Sequence, residues 1–294
     1  RFYAREGYVT VALCWLVLAV IGALPFVLSR EIPFFIDALF ETVSGFTTTG
    51  ATILGDVEAL SHASMLWRCL THWVGGMGVL VFMLIVLPLA GGQTIFLMRA
   101  ESPGPSVSKM SPHMRDTATI LYAIYFGLTV LQMILLLIGG MPFFDAICVS
   151  LGTAGTGGFG NWNDSIAHYN SAYLQNVITV FMILFGINFS AYFLILTRKF
   201  RQAFRIEEIR VYLGVIFVFA GLIAFNVRPM FGSLRESFHH ALFQVASIIT
   251  TTGFSSTDFN QWPALSKTVL VLLMFVGACA GSTGGGIKVS RILI

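Results

Sequence analysis

Charged residues are scarce in this sequence. They make up 11% of its 294 positions against 56% hydrophobic ones, and the mean hydropathy is +0.83. A soluble domain carries about a quarter charged residues, so this composition excludes a single aqueous core with a wet surface and places most of the outside against lipid. The four cysteines, Cys14, Cys69, Cys148 and Cys279, are scattered through apolar segments without CxxC spacing. That argues against a disulfide framework or a metal site, and for small buried hydrophobes. No Met stands at position 1 and no signal-peptide layout is present, since Arg1 to Glu6 is polar and a full span follows. The expectation is that residues precede Arg1.

Catalytic patterns are missing too. No Ser/His/Asp, Cys/His or paired-carboxylate arrangement is found, so no enzyme is expected. "GSTGGGIK" places Gly281 and Gly286 at the spacing of a phosphate-binding loop, but Ile287 stands where Lys is required. No cofactor is expected in this chain. His72, His239 and His240 lack spaced carboxylate or cysteine partners and read as hydrogen-bonded or water-facing histidines rather than metal ligands. The basic run Arg198–Arg210 is offset by Glu207 and Glu208 and reads as a juxtamembrane loop rather than a nucleic-acid patch. "GGMG", Gly75 to Gly78, reads as close backbone packing within a span.

What is present is apolar length. Three pairs of stretches stand out: Tyr8–Leu28 with Trp67–Ala90, Thr117–Ile138 with Ala172–Thr197, and Val211–Asn226 with Leu265–Ala280. Each approaches or exceeds the ~20 residues a spanning helix needs. Within each pair lies a shorter stretch ending in a Gly/Thr cluster: Pro33–Gly50, Pro142–Gly158 and Glu236–Gly253. These are too short to span comfortably and read as re-entrant helices. Twelve Lys and Arg lie outside or between the pairs and five within them, which marks the between-pair side as cytoplasmic.

The unit recurs. A shift of 203 carries Thr47-Thr48-Thr49-Gly50 onto Thr250-Thr251-Thr252-Gly253, and a shift of 108 carries Gly50 onto Gly158, where the copy reads Gly155-Thr156-Gly157-Gly158. Glycines also recur 28 residues after each of these, at Gly78, Gly186 and Gly281. A cation leaving water needs its hydration shell replaced, and ringed backbone carbonyls do this without a fixed charge. Presenting successive carbonyls on one side requires a residue free to take unusual backbone conformations, which glycine supplies. Flanking threonines favour extended backbone. The preceding short helix aims its partially negative C-terminus at the turn, while Asp37 and Asp145 sit at the opposite end, and Pro33 and Pro142 suit the first helical turn. Glu41, within the first short helix, reads either as a brace for the turn or as a residue facing water.

"FIDALFETVSGFTTTGAT" (35–52), "THWVGGMGVLV" (71–81), "SLGTAGTGGF" (150–159) and "GACAGSTGGGIKVSR" (277–291) resemble signatures of the Trk/Ktr/HKT superfamily of potassium transporters, in particular its TrkH-type membrane subunits. The resemblance implies an all-α integral membrane fold of span–pore helix–filter–span repeats around a pseudo-fourfold pore axis. Three repeats fall within residues 1–98, 99–205 and 206–294; a fourth repeat and an N-terminal helix pair are expected to lie outside this chain. It implies potassium uptake driven by the electrochemical gradient through a filter of Thr47, Thr48, Thr49 and Gly50; Gly155, Thr156, Gly157 and Gly158; and Thr250, Thr251, Thr252 and Gly253. A Gly-rich gating loop would comprise Gly281, Ser282, Thr283, Gly284, Gly285 and Gly286. It implies residence in the plasma (inner) membrane of a bacterium or similar cell, homodimerisation and a cytoplasmic nucleotide-binding regulatory subunit. The alternative is a coupled secondary transporter with broken helices, although units of two spans each keep one topology and favour a pore. One glycine per wall, against two in the TVGYG filter of potassium channels, predicts a shorter filter with weaker K⁺/Na⁺ discrimination.

Overall fold

A computed structural model describes residues 4–78, 114–203 and 205–293. Long apolar runs become long helices, and each is followed by a short helix and then a further helix. The first set is α1 (Ala4–Leu28), α2 (Phe35–Phe46) and α3 (His62–Gly76). The second is α4 (Met114–Ile138), α5 (Phe143–Ala154), α6 (Ala172–Phe185) and α7 (Phe189–Leu196). The third is α8 (Glu207–Val227), α9 (Leu234–Ile249) and α10 (Ala264–Leu273). Among the described residues there is no strand, only one isolated bridge between Val276 and Ile287.

Packing follows a repeated scheme. The long helix of each set lies on its own short helix: α1 on α2, α4 on α5, α8 on α9. The helix after the turn packs forward as well, α3 against both α2 and α5, and α6 against both α5 and α9. The outward faces are apolar, with Leu16, Ile21 and Leu28 exposed on α1 and Val218 and Phe225 on α8. Thr119–Ile138 and Glu207–Met230 are long and apolar enough to cross a membrane, and α6 with α7 forms a further such span bent by 91°. Their exposed apolar surface suits lipid rather than water.

Four details differ from the sequence reading. The stretch Ala172–Thr197 is not one helix: Gly186 caps α6, and the Asn188 side chain accepts the Ser190 N–H at 2.8 Å to start α7. A polar N-cap mid-span offers the backbone a local partner and so permits a sharp break. The helix within Leu265–Ala280 ends at Leu273, well before the glycine cluster. Of Trp67–Ala90, the helix begins earlier, at His62, where Ser61 Oγ accepts the Ser64 N–H, and it ends at Gly76; residues 79–90, with Arg99 and Lys109, lie outside the described residues. Pro142 is the N-cap of α5 and Pro33 precedes the N-cap of α2, so both prolines stand just outside the first turn. There they still prevent the helix from extending backwards.

Gly78, Gly186 and Gly281, spaced 28 residues beyond the turn glycines, mark where the second helix of each set has stopped being helical. Gly78 (φ +75°) follows α3, Gly186 caps α6, and Gly281 (φ +71°) lies in the irregular stretch after α10.

Candidate functional site

Each short helix ends in the same backbone construction. In the first, the N–H groups of Thr47, Thr48 and Thr49 donate to the carbonyls of Val43, Gly45 and Ser44. Gly155, Thr156 and Gly157 repeat this on Leu151, Thr153 and Gly152, and Thr250, Thr251 and Thr252 on Ala246, Ile248 and Ser247. This is a Schellman closure, which consumes the last helical carbonyls. Its left-handed residue is ordinarily glycine, yet here it is threonine every time: Thr48 (φ 53°), Thr156 (φ 52°) and Thr251 (φ 59°). A β-branched residue there is a strained outlier, of the kind that clusters at functional sites. Two residues on, Gly50 (φ +74°), Gly158 (φ +80°) and Gly253 (φ +84°) are left-handed again.

The consequence lies in the carbonyls. Among the described residues, no backbone N–H or side-chain donor reaches the carbonyl oxygens of Thr48, Thr49 and Gly50, of Thr156, Gly157 and Gly158, or of Thr251, Thr252 and Gly253. Thr49, Gly50, Gly157, Gly158, Thr251, Thr252 and Gly253 together line one cavity of about 240 Å³, with Met274 beside them. The turns touch in order. A Cβ on Gly50 would overlap the Gly157 carbonyl and one on Gly158 would overlap the Thr252 carbonyl, whereas one on Gly253 would meet nothing within 4 Å. Substitution at either of the first two glycines is therefore blocked by a neighbouring backbone.

Side chains brace the first and third turns from behind in matching ways. Thr47 donates to the Val43 carbonyl at 2.7 Å and Thr250 to Ala246 at 2.7 Å. Each has thereby spent its proton, so Thr49 donates to Thr47 at 2.8 Å and Thr252 to Thr250 at 2.7 Å. Ser44 donates to the Ala51 carbonyl at 2.5 Å, and Ser247 to Phe254 at 2.6 Å. Glu41 accepts from the Thr52 hydroxyl and the Ile53 N–H, each at 3.0 Å; at the corresponding place Gln244 donates to Ser255 at 3.1 Å. The brace reading of Glu41 is the one the structure bears out. Glu41 is 1% exposed and pairs with the equally buried Arg68 at 2.5 Å.

The glycine-rich segment lies directly beneath the third turn. The Gly285 N–H donates to Thr251 Oγ1 at 2.7 Å, and the Lys288 ammonium donates to the Gly284 carbonyl. Its base is tied to the break between α6 and α7: Phe189 N–H donates to Gly281 O at 2.9 Å, Cys279 N–H to Gly186 O at 3.0 Å, and Thr283 Oγ1 to Phe185 O at 3.2 Å. Ser282 closes locally on Cys279 O, and Gly286 (φ +72°) packs against Gly277. The buried carboxylate of Glu208 accepts from Ala280 N–H at 2.6 Å and Ser290 N–H at 3.1 Å. Sequence reading assigned Glu208 only to a charge balance; its place at the foot of this segment emerges from the fold. Hydrogen bonds to a charged group contribute about 1.5–3 kcal/mol, so Glu208→Leu is expected to speed amide exchange over residues 277–290 at least about tenfold, as read by exchange mass spectrometry.

The remaining histidines are hydrogen-bonded as expected. His239 bonds Asn176 at 3.0 Å and Gln175 at 2.7 Å, and His240 bonds Ser256 at 3.0 Å. Cys69, Cys148 and Cys279 are buried and unpaired, and Cys14 is half-buried. The GGMG glycines pack backbone to backbone: a Cβ on Gly75 would overlap Phe46 O, and one on Gly76 would press on Gly155.

Residues 1–227 and 213–294 match the family model for TrkH, described as a cation transport protein. The chain is 39% identical to the Trk system potassium uptake protein TrkH of Salmonella typhimurium and 36% identical to TrkG of Escherichia coli K12, with 99% of this chain and 61% of each relative covered. The crystal structure of the potassium transporter TrkH from Vibrio parahaemolyticus superposes with a TM-score of 0.85 at 32% identity, covering 100% of this chain and 61% of that one. The chain thus spans 61% of the length of these relatives. Three consecutive short helices ending in one strained Gly/Thr turn, within an apolar helical fold, together with these matches, make the chain a member of the TrkH family of membrane cation transport proteins, a family of transporters and not of enzymes.

Proposed function

We propose that this chain forms most of the wall of a potassium uptake pathway, in which the three Gly/Thr turns are successive walls of a selectivity filter. One observation carries the reading: nine carbonyl oxygens on three turns face a common cavity without a hydrogen-bond donor. Buried carbonyls ordinarily find donors, and a ring of carbonyls lacking them is what a dehydrated cation requires. The helix ends behind them add partial negative charge. The transported ion is K⁺, as the names of the relatives suggest. An inside-negative potential supplies about 2.3 kcal/mol per 100 mV for each monovalent cation, so no further cofactor is needed.

The three sets of helices act as repeats around a pseudo-fourfold axis, in segments 1–98, 99–205 and 206–294. The open side of Gly253 is where a fourth wall completes the ring. The segment Gly281–Gly286 serves as an intramembrane gate, since Gly285 reaches the third wall and its base is anchored on the α6–α7 break. The chain functions in the plasma membrane, as a homodimer with a cytoplasmic nucleotide-binding regulatory subunit. The bent α6–α7 pair also suits a coupled transporter with broken helices. Against that reading, no carboxylate or other charged side chain lines the cavity.

The test is ⁸⁶Rb⁺ influx into proteoliposomes holding the full-length protein, with K⁺ and Na⁺ as competitors. Influx that K⁺ suppresses at lower concentration than Na⁺, and that rises when Gly284–Gly286 are excised, supports pore and gate together. A folded protein that moves no alkali cation, with or without its regulatory partner, removes the filter reading.

A further inference from the structure

The second turn lacks every brace the other two possess. Gly155 and Gly157 stand where the first turn has Thr47 and Thr49 and the third has Thr250 and Thr252. Gly152 replaces the bracing serine, Val149 replaces Glu41 or Gln244, and Gly160 replaces Thr52 or Ser255. Yet its backbone has the same hydrogen bonds and the same left-handed residues as its neighbours. Something else must hold it.

That support comes from α3 of the preceding set. His72 is fully buried, and its ring occupies the space behind Gly157, so that a Cβ there would overlap the imidazole. The Phe159 N–H donates to His72 Nδ1 at 3.3 Å, and the two rings stack with centroids 3.9 Å apart. The Nδ1 accepting role places the proton on Nε2, which lies by the Ser44 carbonyl of the first short helix without completing a hydrogen bond. One turn earlier on α3, the Arg68 guanidinium sits 3.5 Å from the Phe159 centroid and donates to the Gly160 carbonyl at 3.4 Å. Positions equivalent to His72 in the other sets, Val180 and Phe275, are 52% and 65% exposed and support no turn.

We propose that His72 is a positioning residue for the second wall, standing in for its two missing threonines and thereby setting how well that wall distinguishes K⁺ from Na⁺. This rests on the filter reading above, and its test separates the two. At Gly155 the obstacle to a side chain is the His72 backbone carbonyl, but at Gly157 it is the His72 ring alone. Position 157 therefore allows an exchange of partners.

The experiment is ⁸⁶Rb⁺ influx in proteoliposomes of the full-length protein, with K⁺/Na⁺ competition as the readout and gel filtration as the control for folding. His72→Ala is expected to lower the K⁺ over Na⁺ preference about fivefold, the equivalent of one lost buried hydrogen bond. Gly157→Thr alone collides with the ring and suppresses influx. The double variant His72→Ala/Gly157→Thr, which restores a threonine and removes the obstacle, regains both. His72→Gln keeps an acceptor for Phe159 without filling the space, and it loses preference while staying folded. Unchanged preference in His72→Gln or His72→Ala, or a double variant no better than the poorer single one, overturns the proposal. Gly253→Ala is the reference: its Cβ has open space, so it acts through the backbone alone. If it shifts the preference while the His72 variants do not, only the role of His72 falls; if it too is inert, the filter reading falls with it.

Discussion

Gly50→Ser is expected to suppress ⁸⁶Rb⁺ influx by at least about tenfold, with the protein still inserted and monodisperse. Two effects add. A side chain at φ +74° costs about 1–3 kcal/mol of backbone strain. Its Cβ would also drive into the Gly157 carbonyl, displacing an oxygen of the adjacent wall. Relief by rotating the peptide would turn a carbonyl away from the cavity, so either response damages ion coordination. Gly253→Ala isolates the first effect, because its Cβ meets no neighbour, and its loss of influx is expected to be smaller. Equal losses in the two variants would show that contact between walls contributes nothing.

Arg68→Met is expected to destabilise the protein by about 3–5 kcal/mol, the cost of leaving a buried charge without its partner. Here the stranded group is Glu41, 1% exposed, which would retain only the Thr52 hydroxyl and the Ile53 N–H. The same change removes the guanidinium from Phe159 and Gly160. A thermal-denaturation series in detergent reads the effect. The double variant Arg68→Met/Glu41→Gln should recover most of the Glu41 share, because a neutral amide needs no counter-charge. A single Arg68→Met with wild-type stability would show that the pair is dispensable.

The large features of this fold were legible in the sequence because they follow from composition and repetition. Apolar length announces spans, and TTTG written twice in register announces equivalent turns. The positive-φ glycines fell at the positions that chemistry required, Gly50, Gly158 and Gly253. The left-handed threonines were not legible: by propensity Thr48 favours extended backbone, and only the Schellman closure of the helix before it forces φ to 53°. The break at Gly186–Asn188 was hidden because the residues on both sides are uniformly apolar, and one polar N-cap in such a run gives little local signal. The role of Glu41 could not be decided from position alone, since its partner Arg68 lies 27 residues away on another helix. His72 and Gly157 are farther apart still, and their fit is a relation of shapes that no spacing rule contains.

The support that α3 lends to the second turn has a consequence for biogenesis. Translation delivers segments in order, and domains tend to fold as units from the N-terminus. Because Arg68 and His72 precede Phe159 and Gly157 in the chain, the prop is already threaded into the membrane when the segment it shapes leaves the ribosome. The third turn, with its own threonines, needs no such predecessor. A chain synthesised without its first 98 residues should therefore insert and still close the turn at Thr250–Gly253, while the one at Gly155–Gly158 stays unformed until the first segment is supplied as a separate polypeptide.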